Sequence, residues 1–426
     1  MSLFWFALLV GITGMAVDVT DGLRQRTMLQ ATADASALAG AIDLPNAAAA
    51  VGTAVSYSVD NMDLDNNGHV LDASDVRVGL WDPDNHSLDI GAADPDAVMV
   101  TVNRSADNGN AVQANFLRIM GLMSWNVTAQ AVAQRFIPDC LKDGLIARNQ
   151  VDMSSNNGFY NEICIHGEQG VNIQSNNFFE PGVNVSMPDL AMLELPASGM
   201  TSNDGLPAAL RENYLDPRMV NHIDEIIQGV LDRDPAVTPA YVDRNEDVIV
   251  VQNNFNFQNA LPHRIYHVQC QPMRNLVLPA GVVMVNLVLI ADCQITIGAN
   301  STVLNSFIAS RSGPTPNGGP NATLNRGDAN ISTAANVQLG VPDNCADGGG
   351  VQMFSNATMT FSSSTGFDGV QLVALGDIAL GARAGGINGI SAQSGGNIYM
   401  TSNNMFGICS GGAPNLFTVD YYRLVL

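Results

Sequence analysis

The chain has 426 residues, with 18 basic and 40 acidic side chains and a formal net charge of −22. That balance excludes nucleic acid, which requires basic patches, and anionic lipid as an electrostatic partner. The length exceeds what one compact core normally serves, and 14% charged residues with 40 glycines suit an exported β-rich protein rather than a disordered one.

Residues 1–17, MSLFWFALLVGITGMAV, carry no charge, and the first charged side chain is Asp18. A bilayer core needs about 20 apolar helical residues, with roughly 17 as the lower limit. The run is just long enough to span, and Trp5 suits an interface position. A signal peptide would need a basic lead, which is not seen before the run. A buried core helix is a third reading. The membrane anchor is the expectation adopted, although no flanking charge orients it.

The next stretch, Thr27 to Ala41, places alanine at every second position from 31 to 41. Period two suggests a strand, but alanine is a strong helix former and a poor strand residue. Leu23, Thr27, Ala31, Asp34 and Leu38 recur at helical spacings, and Leu44-Pro45 ends the run. A long helix from the apolar segment through residue 41 is expected. Its small side chains would let other helices approach closely.

These residues carry a resemblance. Ala16-Val17-Asp18, Leu29-Gln30 and Ala33-Asp34-Ala35-Ser36-Ala37-Leu38-Ala39-Gly40-Ala41 resemble the N-terminal segment of the TadE/TadG-like family of the tight-adherence (Flp) pilus system. Val76–Asp82, Asp96–Arg104, Phe116–Gly121 and Val127–Val132 resemble the family's periplasmic segment in the same order, so coverage is about residues 1–134. Family members usually carry a longer basic lead before the apolar helix, and that difference leaves the topology open. The resemblance implies a non-enzymatic pilus component whose partners are other pilin-like or Tad assembly proteins. It also implies inner-membrane lipid around residues 1–17, with the bulk of the chain periplasmic or incorporated in an extracellular pilus.

Residues 46–136 read as a small α+β domain behind a helical segment 1–45. Ala47–Asn61 is an alanine-rich helix; Val76–Trp81 and Ala97–Asn103 alternate as strands around an Asp-Pro-Asp-Asn turn at 82–85. Val112–Leu122 reads as a helix turning Phe116, Ile119 and Met120 to a core, and Ser124–Ala133 as a last strand. Asp63-Leu-Asp-Asn-Asn-Gly68 begins like a calcium loop, but its twelfth position is Ser74, with Asp75 one residue late. A polar turn is the reading adopted.

Beyond residue 137 the texture changes. Val151-Asp-Met-Ser-Ser-Asn-Asn157 recurs as Val171-Asn-Ile-Gln-Ser-Asn-Asn177, and again within Asn397–Asn404. Val351–Asn356, Val370–Ala374 and Ile295–Asn300 repeat the theme. Short strands ended by Asn, Gly or Ser about every twenty residues suggest a solenoid. The expected fold class is therefore α+β and all-β. It comprises a long N-terminal membrane helix, a small α+β domain and a right-handed parallel β-helix-like solenoid over 137–426, with Asn ladders at its corners and a helical insertion at about 186–245. A β-sandwich is the rival. Residues 312–345 read as a Gly/Pro-rich loop.

Six cysteines, Cys140, Cys164, Cys270, Cys293, Cys345 and Cys409, show no zinc spacing and suit disulfides in an oxidising compartment. Their connectivity is open, and the simplest pairs are Cys140–Cys164 and Cys270–Cys293. Asp152, Glu162, Glu168 and Asp292 are the carboxylates a solenoid could bring together for glycoside hydrolysis, but no acidic cluster recurs. His263-Arg-Ile-Tyr-His267 has metal spacing without an intervening Glu, and a structural role is expected. Some TadG-like proteins carry a von Willebrand-type domain with an Asp-x-Ser-x-Ser metal motif; Asp152-Met-Ser-Ser-Asn156 departs from it and is set aside. No catalytic, cofactor-binding or metal residue is assigned, and no cofactor is expected. The alternatives to a pilus component are an adhesin gripping surface glycans and, further off, a polysaccharide-degrading enzyme.

Overall fold

The structure is a computed structural model. It describes residues 2–142, 144–271, 275–311, 330–342, 350–381, 386–407, 409 and 417–426, with backbone alone at 2–11, 120 and 139. The chain forms two compact units, residues 1–137 with 420–426, and residues 138–419.

The first unit is built on a helix, Ser2–Ile42, and a second, Ala47–Asn61, capped by the Asn46 side chain at the Ala49 N–H. Leu29, Ala33, Ala37 and Ala41 fall at successive turns and face one core. There they meet Ala50 and Ala54 of the second helix and Val98, Val100, Ala129 and Ala131 of a sheet. Alanine therefore serves close approach inside this unit. At Gly40 a Cβ would lie 2.8 Å from the Ala50 carbonyl oxygen, so even a methyl group is excluded.

The sheet is antiparallel, in the order Ser87–Ile90, Val76–Asp82, Ala97–Arg104, Val127–Phe136, Tyr421–Leu424. The last strand comes from the chain's end, which the sequence reading had left with the repeat region. The 82–85 turn leads into an additional hairpin strand rather than directly to Ala97.

The helix expected over 112–122 is not formed. A two-residue strand, Val112–Gln113, is followed by a single 3-10 turn, Leu117–Met120. Phe116 and Ile119 face outward; the side chain of Met120 lies outside the described residues. Among the described residues no helix is long and apolar enough to cross a membrane. The side chains of residues 2–11, most of the expected span, lie outside that description.

Among the described residues the second unit forms two parallel sheets, of seventeen and nine strands. Register repeats at intervals near twenty residues: Gly144 pairs with Cys164 and Cys164 with Asn184, while Val151 pairs with Val171. Parallel pairing excludes the antiparallel sandwich. Inward side chains of both sheets share one core, including Leu145, Val151, Ile165, Val171, Ile295 and Leu372.

Sequence order and spatial order differ. The chain makes the repeats at 144–159 and 164–179, continues through Asn184–Met187 to Leu210–Glu212, and then leaves the sheets. It re-enters at Ile249–Gln252, at the other end of the pairing order, and adds repeats until 387–407 docks against 144–159. Ser391 pairs with Gly144, Ile398 with Val151 and Phe406 with Phe159. The first repeat is therefore interior, which explains why Asn397–Asn404 resembles Val151–Asn157: the two are neighbours.

Two ladders run through this junction. Asn404, Asn157, Asn177 and Asn203 are buried; each of the first three donates its N–H to the next one's Oδ1, at 2.9, 2.9 and 2.7 Å. The preceding Asn403, Asn156 and Asn176 have φ of 65°, a left-handed corner that asparagine tolerates. Beside them the rings of Phe406, Phe159 and Phe179 stack at 5.1 Å spacings.

The excursion at 213–248 covers the outer face of the long sheet. Helix Ile223–Leu231 and residues Met219 and Val220 pack on Ile265, Val288, Ile290, Phe307, Phe354 and Val373. This explains why strands such as Val288–Ala291 and Val351–Ser355 are buried at every position. The nine-stranded sheet instead alternates buried and part-exposed residues. Disulfides join Cys140 to Cys164 and Cys270 to Cys293, the simplest pairs, and Cys409 is also disulfide-bonded. Cys345 and most of the loop expected at 312–345 lie outside the described residues.

Candidate functional site

The polar groups of the second unit were tested first for chemistry. His166 and Ser186 sit opposite each other on adjacent strands, with Nδ1 and Oγ 2.8 Å apart, while Nε2 of His166 lies 3.2 Å from Oε1 of Glu168. These are the residue types of a hydrolytic triad. Yet His166 is 0% and Ser186 3% exposed, so no substrate carbonyl can reach the hydroxyl. Burial also holds the imidazole pKa down, against the pull of Glu168. The same Glu168 oxygen accepts the Leu215 N–H at 2.6 Å, which ties the start of the excursion to the sheet.

A second cluster joins His267, Asp292 and Arg311. Both Asp292 oxygens lie 3.0 Å from His267 Nε2, and Arg311 Nε donates to Asp292 Oδ1 at 2.8 Å. Burial raises the Asp292 pKa, but the His267 and Arg311 hydrogen bonds outweigh it and keep it below the usual carboxylate value. Arg311 also reaches Gln228 of the covering helix, so this cluster too pins the excursion.

The other sequence candidates do not converge. Asp152 accepts from Asn172, and burial raises its pKa. Glu162 occupies an exposed corner at φ 63°. His263 bonds the Tyr241 carbonyl rather than sharing a ligand with His267. Asp63 caps the short helix Leu64–Asn67, and among the described residues no group of His, Cys, Asp and Glu is placed to hold a metal ion. A cavity of about 890 Å³ lies under the excursion, lined by Met219, Ile226, Val237 and Phe417, with the His222–Glu225 pair on its wall.

The first unit presents a different kind of site. The N-terminal helix is bare along its first described turns: Ile12, Met15, Val17, Val19 and Leu23 are exposed. Against this bare part packs the segment 115–125. Asp18, 1% exposed, accepts the N–H groups of Asn115, Phe116 and Leu117 at 2.9, 2.9 and 2.6 Å. At Gly14 a Cβ would lie 2.7 Å from that of Phe116, and at Gly22 it would lie 3.0 Å from the Trp125 ring. Two glycines and one carboxylate thus form a seat for the segment. Beyond the seat Phe116, Ile119, Leu122 and Met123 are exposed, at 44, 84, 45 and 64%. Sequence reading missed this site because apolar residues at helical spacing look the same whether they face a core or solvent.

Burial raises the Asp18 pKa, but the N–H groups of Leu117, Asn115 and Phe116 together outweigh it and hold the carboxyl below its usual value. A depressed carboxylate contributes stability above its unfolded pKa, about 3.9, and loses it as pH falls through the lower folded value. Asp18→Ala should therefore speed amide exchange at Phe116 and Leu117 at neutral pH. In the parent chain, exchange at these amides corrected for its intrinsic pH dependence should rise only in acid. Unchanged protection in the variant would show that the carboxylate does not hold the segment.

Comparison with known proteins places these features. Residues 1–51 match the family model described as Flp pilus-assembly TadE/G-like, over the stretch where the sequence resemblance is densest. Over residues 144–410, more than half its length, it belongs to the family described as Domain of unknown function (DUF7867). No curated protein and no solved structure is significantly similar to it.

Proposed function

We propose that the chain is a non-enzymatic structural or assembly component of a Tad (Flp-type) pilus. Residues 1–45 form its membrane-anchoring or pilin-like helix, and residues 46–136 contact other pilin-like or assembly proteins. The unit at residues 138–419 is a parallel β-helix that presents a long acidic surface to the periplasm or the cell exterior. The match of residues 1–51 to the TadE/G-like family carries this reading. The uncharged run at 1–17 supports the anchor. Parallel register near twenty residues, the Asn ladder and the stacked Phe rings support the β-helix, and its right hand follows the general rule for parallel crossovers. Burial of His166 and Ser186, and the bond from Arg311 of the Asp292 cluster to Gln228 of the covering helix, support a structural rather than catalytic use of those groups.

Shearing pili from cells that express a tagged copy, then blotting filament and inner-membrane fractions, tests the proposal. Signal in the filaments makes the chain a minor pilin; signal confined to the membrane makes it an anchored assembly component. Absence from both fractions, with the protein recovered free, overturns the reading.

A further inference from the structure

The exposed apolar segment beyond the Asp18 seat has a fixed height along the N-terminal helix. On the anchored reading, the uncharged run that ends at Val17 leaves the bilayer at Asp18, the first charge. Three hydrogen bonds of 2.6 to 2.9 Å hold residues 115–117 to that carboxylate, so the segment lies at the level where the helix emerges. Phe116 goes deeper. Its side chain sits against Gly14, four residues earlier, which is about 6 Å further along the uncharged run.

We propose that Phe116, Ile119, Leu122 and Met123 form a collar that inserts into the lipid interface around the emerging helix. The proposal rests on the anchored reading above. Two observations favour lipid over a protein groove. The four side chains are exposed, as are Ile12, Met15 and Val17 of the uncharged run itself. Their height is set by the end of the uncharged run rather than by any feature of a neighbour. With a net charge of −22 the chain gains nothing from anionic headgroups, so apolar contact is the attraction and neutral lipid suffices. The collar would fix the tilt and rotation of the helix as interfacial side chains do.

The test uses the full chain with Ile119→Cys carrying an environment-sensitive NBD fluorophore, reconstituted in phosphatidylcholine vesicles with or without brominated acyl chains. Ile119 is 84% exposed, so the substitution leaves the packing intact. Asp89→Cys, on the exposed hairpin strand, is the control. The expected result is a blue-shifted emission at 119 that brominated lipid largely quenches, while the label at 89 stays in water. Carbonate washing of the same vesicles reads the anchor separately. A water-exposed 119 label on protein that resists the wash overturns the collar and leaves the anchor standing. Emission that is blue-shifted but unquenched means that protein covers the site, and overturns lipid as the occupant. Quenching at 119 on protein that the wash removes shows peripheral lipid binding without a spanning helix, and overturns both the anchor and a collar around it. A chain that does not associate with vesicles at all overturns both.

Discussion

Phe159→Ala is expected to lower the unfolding free energy of the 138–419 unit by about 3–5 kcal/mol, the cost of truncating a fully buried aromatic side chain. The ring is 0% exposed and stacked on both faces, against Phe179 of the following repeat and Phe406 of the last. Its loss opens a cavity and removes two ring contacts of about 0.5–1.5 kcal/mol each. The effect should also spread, because Phe159 lies where the last repeat docks on the first. Guanidinium unfolding read by near-UV circular dichroism checks this, with Phe178→Ala as reference. Phe178 sits next in sequence to one member of the stack but is 37% exposed, so its truncation should cost much less. Equal losses in the two variants would mean that the stack does not hold the junction.

Ile227→Ala should cost about 2–5 kcal/mol. If the excursion at 213–248 were a mere connector, truncating one of its aliphatic side chains would matter little. Instead Ile227 is 0% exposed, in the cluster formed by its helix and the outer-face residues Ile290, Phe307 and Phe354. The covering helix is thus a second core for the long sheet. Glu225→Ala on the same helix removes a side chain 75% exposed, and is expected to be nearly neutral. A small effect at Ile227 would show that the helix is peeled from the sheet in solution.

The repeats were legible in the sequence because each side chain in them has a fixed geometric task. In Val151–Asn157 and Val171–Asn177 the apolar residues at alternate positions face the core, the first Asn takes the left-handed corner and the second joins the ladder. What pattern could not convey was order. The third copy, at 397–404, resembles the first because it lies beside it, yet the hydrogen bond that joins them spans 247 residues. Local spacing reports which way a side chain faces and not which strand it meets. The alanines at 33, 37 and 41 were read correctly as small surfaces for close packing, and their partners proved to be a sheet as well as a helix. The segment at 112–122 was misread for the complementary reason. Its spacing was helical, but the backbone makes one 3-10 turn and Asp18 takes the N–H groups at its start. Asp18 was visible only as the first charge after an uncharged run. Its role needed a partner almost a hundred residues away.

The docking of 387–407 onto 144–159 also constrains how such a gene can lengthen. Repeat arrays commonly extend by tandem duplication at a terminus, since a new unit there needs only one neighbour. Here the last repeat is already committed to the first, and a copy appended after it would find that edge occupied. New units can enter within the series, or at the open ends beside Leu210–Glu212 and Ile249–Gln252, which are internal to the sequence. The long stretch between Ser306–Ser310 and Val351–Ser355, which are adjacent strands, marks one place where added sequence leaves the register of its neighbours intact. Variation in length among relatives should therefore collect at such internal positions, while the number of residues around the junction stays constant.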